Sequence, residues 1–321
     1  MIFSSKIKEL YKKTLFTRHD ANGTIFYFSH TDFEGLGKVP FTFENQKGEL
    51  LSGGIYSYEG YIEDKLVIFD HGMGTGHNAY MREIEMLARH GYRVLAYDHT
   101  GCTLSGGSHI RGLSGSLADL DACIRAVKSD SELGSLDLYV VGHSWGGFST
   151  MNIPAYHSDI KAIVALSGFI SVRDMHKQVL PGILSLWRND VFEVEREENP
   201  DYADASAIDT LRSVPTRALI IHSDDDKTCS HKLHFSKLKG ALEGAENVTF
   251  LSVTGKNHNP NYTSYAVREM TKFFADRTKR LKSGALTTDE QKRQFLSSYD
   301  WHKITEQDEI LWQKIYDHLD R

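Results

Sequence analysis

Six short apolar segments constrain the fold of this chain most strongly. Each is rich in β-branched residues and ends in Gly, His, Asp or Ser, and longer segments with helical spacing separate most of them. Continuous apolar strands that alternate with helices indicate a parallel sheet covered by helices on both faces, with ligands bound beyond the carboxyl ends of the strands. The segments are KLVIFDHG (65–72), YRVLAYDH (92–99), DLYVVGHS (137–144), AIVALSG (162–168), RALIIHSD (217–224) and VTFLSVTG (248–255).

Residues 22–62 have a different pattern, rich in Phe, Tyr, Thr and Gly. Within them, TIFYFSHTDF (24–33) and VPFTFENQKGELLSGGIYSYEG (39–60) predict antiparallel strands joined by turns. The predicted fold class is therefore α/β, with a mostly parallel central sheet, helices on both faces and antiparallel N-terminal strands.

The long connection after Gly168 divides the predicted core. It is helical in pattern, with a break at Pro181-Gly182, and we expect it to form a small helical cap over the strand ends. The predicted organisation is a core of residues 1–168 and 209–281, a cap of residues 169–208, and a tail of residues 282–321. The pattern of the tail predicts two short helices that dock on the core. The alternative is that their apolar face is the interface of a homodimer.

Composition excludes some partners. The net charge of −6 over 321 residues gives no basic field to hold nucleic acid or an anionic membrane. No run of about 20 apolar residues occurs, so stable membrane insertion is not expected. The basic N-terminal segment is partly amphipathic. We interpret it as a solvated first helix; the alternative is a contact with a membrane surface.

Cysteine is sparse, at Cys102, Cys123 and Cys229. Three thiols cannot all pair within one chain, and so low a count favours a reducing compartment. The N-terminal segment also lacks the apolar core of a secretory signal. These features predict a cytoplasmic protein.

The segment VGHSWGGF (141–148) places Ser144 between glycines where an apolar strand meets a helical segment. A tight strand–helix turn makes the central side chain project from the sheet, and requires glycine at positions 142 and 146 because Cβ atoms there would collide with neighbours. Ser144 is therefore the candidate nucleophile. The alternative is an inert serine in a glycine-rich joint.

A serine hydroxyl needs a histidine base and a carboxylate that orients the histidine. In this type of fold the order is serine, acid, histidine, each at a strand end. HSDDDK (222–227) supplies three aspartates and TGKNHN (254–259) supplies His258. Asp226 is the favoured acid because of its place at the start of the outgoing turn, and Asp225 is second. The two aspartates that are not the acid would be solvated loop charges.

Two backbone N–H groups are expected to bind the oxyanion. One follows the nucleophile, at Trp145, and the other belongs to Met73 in the glycine-rich loop DHGMGTGHN (70–78). This loop fits neither phosphate-binding glycine motif. No metal-ligating spacing occurs either, so neither metal nor organic cofactor is expected.

These motifs resemble the α/β-hydrolase superfamily, and in particular its monoacylglycerol-lipase-like and serine-aminopeptidase-like members. The resemblance rests on His71-Gly72-Met73-Gly74, YDHTGCTLSGG (97–107), GHSWGG (142–147), Asp226 and His258, and covers about residues 60–280. It implies a serine hydrolase whose oxyanion donors are Met73 and Trp145. Cys102 and Lys227 depart from the family pattern and leave the substrate class open.

The leading hypothesis is hydrolysis of a carboxylic ester or thioester of a small or acyl substrate through an acyl-enzyme on Ser144. His71, Met175 and Trp187 are candidate substrate contacts, beside an apolar cap pocket of Leu180, Leu184, Leu186 and Phe192. The first alternative is an aminopeptidase or amidase with the same triad, whose substrate amine would need the acidic cap residues Glu193, Glu195, Glu197 and Glu198. The second is a binding protein without turnover.

Overall fold

The computed structural model describes residues 2–20 and 22–321, so that Met1, with which the predicted core begins, lies outside the described residues. All six apolar segments form strands, and two further strands precede them. The strands are β1 Gly37–Glu44, β2 Leu50–Ser57, β3 Lys65–Asp70, β4 Arg93–Tyr97, β5 Asp137–His143, β6 Ala162–Leu166, β7 Arg217–Ser223 and β8 Val248–Val253.

The strands form one sheet in the order β1-β2-β4-β3-β5-β6-β7-β8. β1 pairs antiparallel with β2, and β2 antiparallel with β4, whereas all the other pairs are parallel. This confirms the predicted mostly parallel sheet with antiparallel N-terminal strands. The carboxyl ends of β3, β5, β7 and β8 thus lie at one edge of the sheet.

Twelve helices accompany the sheet in the described residues. They are α1 Ile2–Leu15, α2 Met81–Arg89, α3 Gly115–Ser129, α4 Trp145–Asn152, α5 Val172–Val179, α6 Arg188–Glu198, α7 Ala207–Ser213, α8 Lys237–Ala241, α9 Ser264–Lys282, α10 Asp289–Ser297, α11 Trp301–Ile304 and α12 Glu309–Leu319. None of the described helices is long and apolar enough to cross a bilayer.

The two faces of the sheet bury separate apolar clusters. Along β3, Leu66 and Ile68 belong to one cluster, and Val67 and Phe69 to the other. This alternation is the period-2 pattern of a strand covered on both faces, and it explains why the segment is continuously apolar.

The prediction of a strand at residues 24–33 is wrong. This stretch is irregular apart from a short 3₁₀ turn at His30–Asp32. Its aromatic side chains pack on the C-terminal helices instead: Phe26 contacts Trp301 with ring centroids 5.5 Å apart, and Phe28 contacts His302 at 4.8 Å. The aromatic pattern therefore reflects burial against the tail, and not strand pairing.

The segment predicted as a cap contains α5, a 3₁₀ turn at Gly182–Trp187 that follows the predicted break, α6 and the start of α7. The tail forms three helices where two were predicted. Trp312, Ile315 and Leu319 of α12 are buried in the same cluster as Val67 and Phe69. Ile310 remains exposed, and homodimerisation through the tail stays a prediction.

Candidate active site

Ser144 is the single residue between the end of β5 at His143 and the start of α4 at Trp145. Its backbone has φ 57° and ψ −111°, a conformation that costs a non-glycine residue roughly 1–3 kcal/mol. Its N–H donates to the Leu166 carbonyl of the adjacent strand at 2.8 Å. The serine is thus held in a strained turn at the carboxyl edge of the sheet.

The glycines around Ser144 are required by close backbone approach. A Cβ at Gly146 would overlap the Asp70 carbonyl at the end of β3, and a Cβ at Gly142 would overlap the Thr150 hydroxyl and the Gly146 carbonyl. The structure agrees with the prediction that neither position tolerates a side chain. These contacts let α4 start directly against the sheet.

Ser144, His258 and Asp226 are hydrogen-bonded in series. The Ser144 Oγ lies 2.8 Å from His258 Nε2, and His258 Nδ1 lies 2.8 Å from Asp226 Oδ2. With Nδ1–H donating to the carboxylate, Nε2 is left to accept the serine proton. This is the order of hydrogen bonds that activates a serine hydroxyl.

Asp226 is held in one orientation by its neighbours. Its Oδ1 accepts the N–H groups of Thr228 at 2.8 Å and Cys229 at 3.0 Å. Burial raises the pKa of Asp226, but its hydrogen bonds with His222 and His258 outweigh burial and hold that pKa well below its usual range. The group that faces His258 is therefore a carboxylate with a fixed acceptor oxygen.

The neighbouring aspartates do not face His258. Asp225 Oδ1 accepts the Asn257 N–H at 2.9 Å, and an Asp224 oxygen accepts the Gly255 N–H at 3.3 Å. Both carboxylates thus brace the loop that carries His258. Asp224 is exposed, as expected of a solvated loop charge, but the hydrogen bonds of both residues to the His258 loop were not predicted, because a sequence does not show which loop lies opposite.

A second hydrogen-bonded chain runs beside the first. The Tyr80 hydroxyl lies 2.9 Å from His143 Nδ1, and His143 Nε2–H donates to the His258 carbonyl at 2.7 Å. The Gly72 N–H also bonds with the Tyr80 oxygen. Burial, with the charge of His258, lowers the pKa of His143 to about 3, so this imidazole is neutral. The chain joins the glycine-rich loop to the residue before Ser144 and to the backbone of His258.

The Gly72–Met73 peptide is oriented by His71. Its ring Nε2 accepts the His99 N–H at 3.0 Å, so its Nδ1–H donates to the Gly72 carbonyl at 2.8 Å. In a planar trans peptide the N–H points opposite to the carbonyl. With the Gly72 carbonyl bound to the buried ring, the Met73 N–H points away from it, and within the described chain this N–H has no acceptor.

The Trp145 N–H is the first of α4 and has no acceptor inside the helix. The indole is buried and donates to the Leu113 carbonyl at 2.6 Å. Met73 and Trp145 border the same cavity as Ser144. Two residues whose backbone N–H groups have no acceptor within the described chain thus border the cavity beside Ser144.

Part of the chain matches a known family model. A family model described as serine aminopeptidase, S33, matches residues 62–194. This range includes the glycine-rich loop, Ser144 and most of the predicted cap. No curated protein matches the sequence.

Solved structures with the same fold include two that span most of the chain. The Pyrococcus furiosus esterase Pf2001 is 20% identical, with a TM-score of 0.58 over 84% of this chain and 97% of its own. Est1E from Butyrivibrio proteoclasticus, solved with bound ferulic acid, is 19% identical, with a TM-score of 0.56 over 74% of this chain and 99% of its own. The chain has the α/β-hydrolase fold. Its enzyme class is serine hydrolase.

A cavity of about 740 Å³ opens beside Ser144 and His258 of this hydrolase. Its volume lies within the range that holds drug-sized ligands. Apart from the polar groups near Ser144, the described lining is mostly apolar and includes no Asp, Glu, Lys or Arg. Its larger apolar members are Ile7, Leu10, Tyr11, Leu15, Met73, Leu113, Trp145, Phe169, Met175, Val179, Leu180, Leu184 and Val191.

The three candidate substrate contacts differ in outcome. Met175 lines the cavity. His71 does not, because its fully buried ring is engaged with the Gly72 carbonyl and the His99 N–H. Trp187 does not either, since it lies at the end of the 3₁₀ turn outside the described lining.

Of the predicted apolar cap residues, Leu180 and Leu184 border the cavity, whereas Leu186 is exposed and Phe192 is buried elsewhere.

The acidic cap residues lie outside the hydrolase cavity. Glu195 is buried and accepts the Leu113 N–H at 2.8 Å and the Ser114 N–H at 3.0 Å. Glu198 pairs with Arg111 at 3.2 Å. Glu193 and Glu197 are exposed and lie near Arg196 and Lys8. The charge run therefore serves packing and surface pairing, and places no carboxylate beside Ser144.

Two contributors to the site were not predicted. Helix α1 supplies part of the cavity wall, although we expected a solvated helix; its apolar positions were the signal that could have revealed this. Tyr80 borders both Gly72 and His143. No motif marks this tyrosine, because its role depends on how the turn after the glycine-rich loop folds back.

Proposed function

We propose that the protein is a carboxylic ester hydrolase that acts through an acyl-enzyme on Ser144. The observation that carries this proposal is the apolar cavity in contact with a hydrogen-bonded Ser144–His258–Asp226 series. The esterases among the solved structures with this fold support it. Met73 and Trp145 are the proposed oxyanion donors.

In the first half-reaction the Ser144 Oγ attacks the ester carbonyl carbon while its proton passes to His258 Nε2. The carbonyl oxygen becomes an oxyanion that accepts hydrogen bonds from the Met73 and Trp145 N–H groups. Removing one such donor typically costs roughly 3–4 kcal/mol of transition-state stabilisation. The carbon–oxygen bond to the alcohol then breaks, and His258 returns the proton to the leaving alcohol.

In the second half-reaction a water molecule replaces the alcohol. His258 takes a proton from the water as it attacks the acyl carbon, and the same two N–H groups hold the second oxyanion. Collapse of this intermediate returns the proton to Ser144 and releases the carboxylic acid. Asp226 holds the His258 ring in the tautomer that both steps require.

The cavity favours an ester over an aminopeptidase substrate. A peptide with a free N-terminus carries an ammonium group, and burying it without a carboxylate is costly. Among the described lining residues no carboxylate is present, and Glu195 is already saturated with donors. An uncharged acyl or alkyl group meets no such penalty.

The proposal is tested with a fluorophosphonate probe followed by mapping of the adduct. We expect labelling of wild-type Ser144 and none in Ser144→Ala. Initial rates on p-nitrophenyl esters and on aminoacyl-naphthylamides then separate the two activities, with kcat/KM expected to favour the esters. A folded wild-type protein that resists the probe would refute the hydrolase mechanism, whereas labelling with faster amide turnover would refute ester preference.

A further inference from the structure

The N-terminal helix α1 forms one wall of the cavity. Five of its residues border the cavity, at spacings that place them on one helical face. They are Ile7, Leu10, Tyr11, Thr14 and Leu15. Leu10 is also 60% exposed, which places it at the mouth. The opposite face of the helix carries lysines and faces solvent.

The middle of α1 is bound to the cap segment. The Tyr11 hydroxyl donates to Glu195 Oε1 at 2.5 Å and lies 2.9 Å from His176 Nε2. Tyr11 also packs in an apolar cluster with Val191 and Val194 of α6. Because Glu195 is buried and also binds the Leu113 N–H, one carboxylate connects three walls of the cavity.

The chain after α1 is bound to the core. Arg18 donates to the carbonyls of Thr103, Ser105 and Gly107 at 2.9, 3.2 and 2.6 Å. The His19 N–H donates to the Gly101 carbonyl at 2.8 Å. Because Tyr11 is bound to the cap segment and the residues after α1 are bound to the core, α1 is held in place as part of the cavity wall.

Most of the side chains that line the cavity are apolar. Besides α1, the cap segment contributes Met175, Val179, Leu180 and Leu184 to the lining. A chain of methylene groups fits such a space because it has no polar atoms that would lose hydrogen bonds with water. A second charged group on the substrate would meet no Asp, Glu, Lys or Arg in the described lining, whose polar members on the N-terminal segment are Tyr11, Thr14 and His19.

We infer that α1 is a specificity-determining wall that holds the far part of an apolar acyl chain, with Ile7 and Leu10 as the contacts that set the preferred length. This inference rests on the proposed ester hydrolase function, since the chain enters the cavity as the acyl group of a Ser144 ester. The substrate class is an ester of an unbranched, uncharged acyl chain longer than acetyl.

The test measures kcat/KM for p-nitrophenyl acetate, butyrate, hexanoate and octanoate, with active sites titrated by fluorophosphonate so that misfolded protein is not counted. In the wild type we expect kcat/KM to rise with length, at up to about fourfold per methylene buried. Ile7→Trp narrows the cavity and should lower the octanoate-to-acetate ratio at least tenfold. Leu10→Ala should lower it by a smaller factor, through lost contact.

The matched control is Glu9→Trp, which places the same indole on the exposed face of α1, where Glu9 pairs with Lys13. Its octanoate-to-acetate ratio should equal that of the wild type. A wild-type profile that is flat with length, or equal ratios in Ile7→Trp and Glu9→Trp, would overturn the role of α1. Absence of any ester turnover and of probe labelling would instead overturn the proposed function itself.

Discussion

Replacement of Asp226 by asparagine tests whether the carboxylate sets the tautomer of His258. The Thr228 and Cys229 N–H groups both donate to Oδ1, so an asparagine retains its oxygen at that position. The flipped amide would lose these two hydrogen bonds, each worth roughly 1 kcal/mol, whereas the unflipped amide loses only the longer contact of Oδ2 with His222 Nε2 at 3.2 Å. The favoured orientation therefore directs the amide nitrogen towards His258 Nδ1.

The consequence of this orientation is a reversed imidazole. The amide N–H donates to Nδ1, so the ring proton moves to Nε2, and Nε2 can no longer accept the Ser144 proton. In serine hydrolases of known mechanism the corresponding change lowers kcat by about 10⁴, equivalent to roughly 5.5 kcal/mol of transition-state stabilisation. We expect a loss of about 10³–10⁴ in kcat for Asp226→Asn on p-nitrophenyl acetate, with Ser144 still in place.

Asp225→Asn is the matched control. Its Oδ1 accepts the Asn257 N–H, a bond that an amide oxygen retains, and it does not face His258. We expect kcat within about threefold of the wild type, since no buried charge or tautomer changes. Thermal melts of both variants check folding. If folded Asp226→Asn keeps more than a tenth of the wild-type kcat, or Asp225→Asn loses as much, the assignment of the acid is wrong.

Three further predictions concern Tyr80, Gly146 and four buried histidines. Tyr80→Phe removes the hydroxyl between the Gly72 N–H and His143. It should lower kcat about tenfold, the scale of one lost hydrogen bond, and leave KM little changed in steady-state kinetics. Equal changes in kcat and KM would contradict a positioning role. Gly146→Ala drives a methyl group into the Asp70 carbonyl and should lower the free energy of unfolding in urea by at least about 1–3 kcal/mol, whereas an unchanged midpoint would show that α4 can move. Four of the buried histidines have pKa values lowered to about 3 or 4 and stay neutral in the fold, while the unfolded chain binds protons below about pH 6.5. The free energy of unfolding should therefore fall as the pH drops from 6.5 to 4, by up to about 1.4 kcal/mol per pH unit for each group, and a flat profile over this range would contradict it. These four are His143 with a pKa of about 3, and His176, His234 and His318 with pKa values of about 4.

Most of the central fold could be predicted from local pattern. The six apolar segments form β3 to β8, because a continuously apolar strand is typical of a parallel sheet that is covered on both faces. The same pattern misled at residues 24–33, where alternating aromatic residues are buried against Trp301 and the other C-terminal helices. Aromatic burial looks alike in sequence whether the partner is a strand or a helix.

The order of Ser144, Asp226 and His258 was also predictable, because the sheet topology brings strand ends together in a set order. Their hydrogen-bond distances then follow from loops that only the folded chain specifies. The choice of Asp226 over Asp225 depended on position in the turn, whereas the structure distinguishes them by their partners: His258 for one and the Asn257 N–H for the other.

What the sequence by itself determined about this protein is its sheet, the tight turn at Ser144 and the residue types needed to activate a serine, since each follows from periodicity, from glycine at crowded positions and from side-chain chemistry. Only the tertiary structure decided which walls enclose the substrate cavity. In the folded chain α1 packs against the cap segment, and His71 lies outside the cavity, where it orients the Gly72–Met73 peptide. The physical reason is that a wall is made by residues far apart in the chain, and their contact carries no local signal.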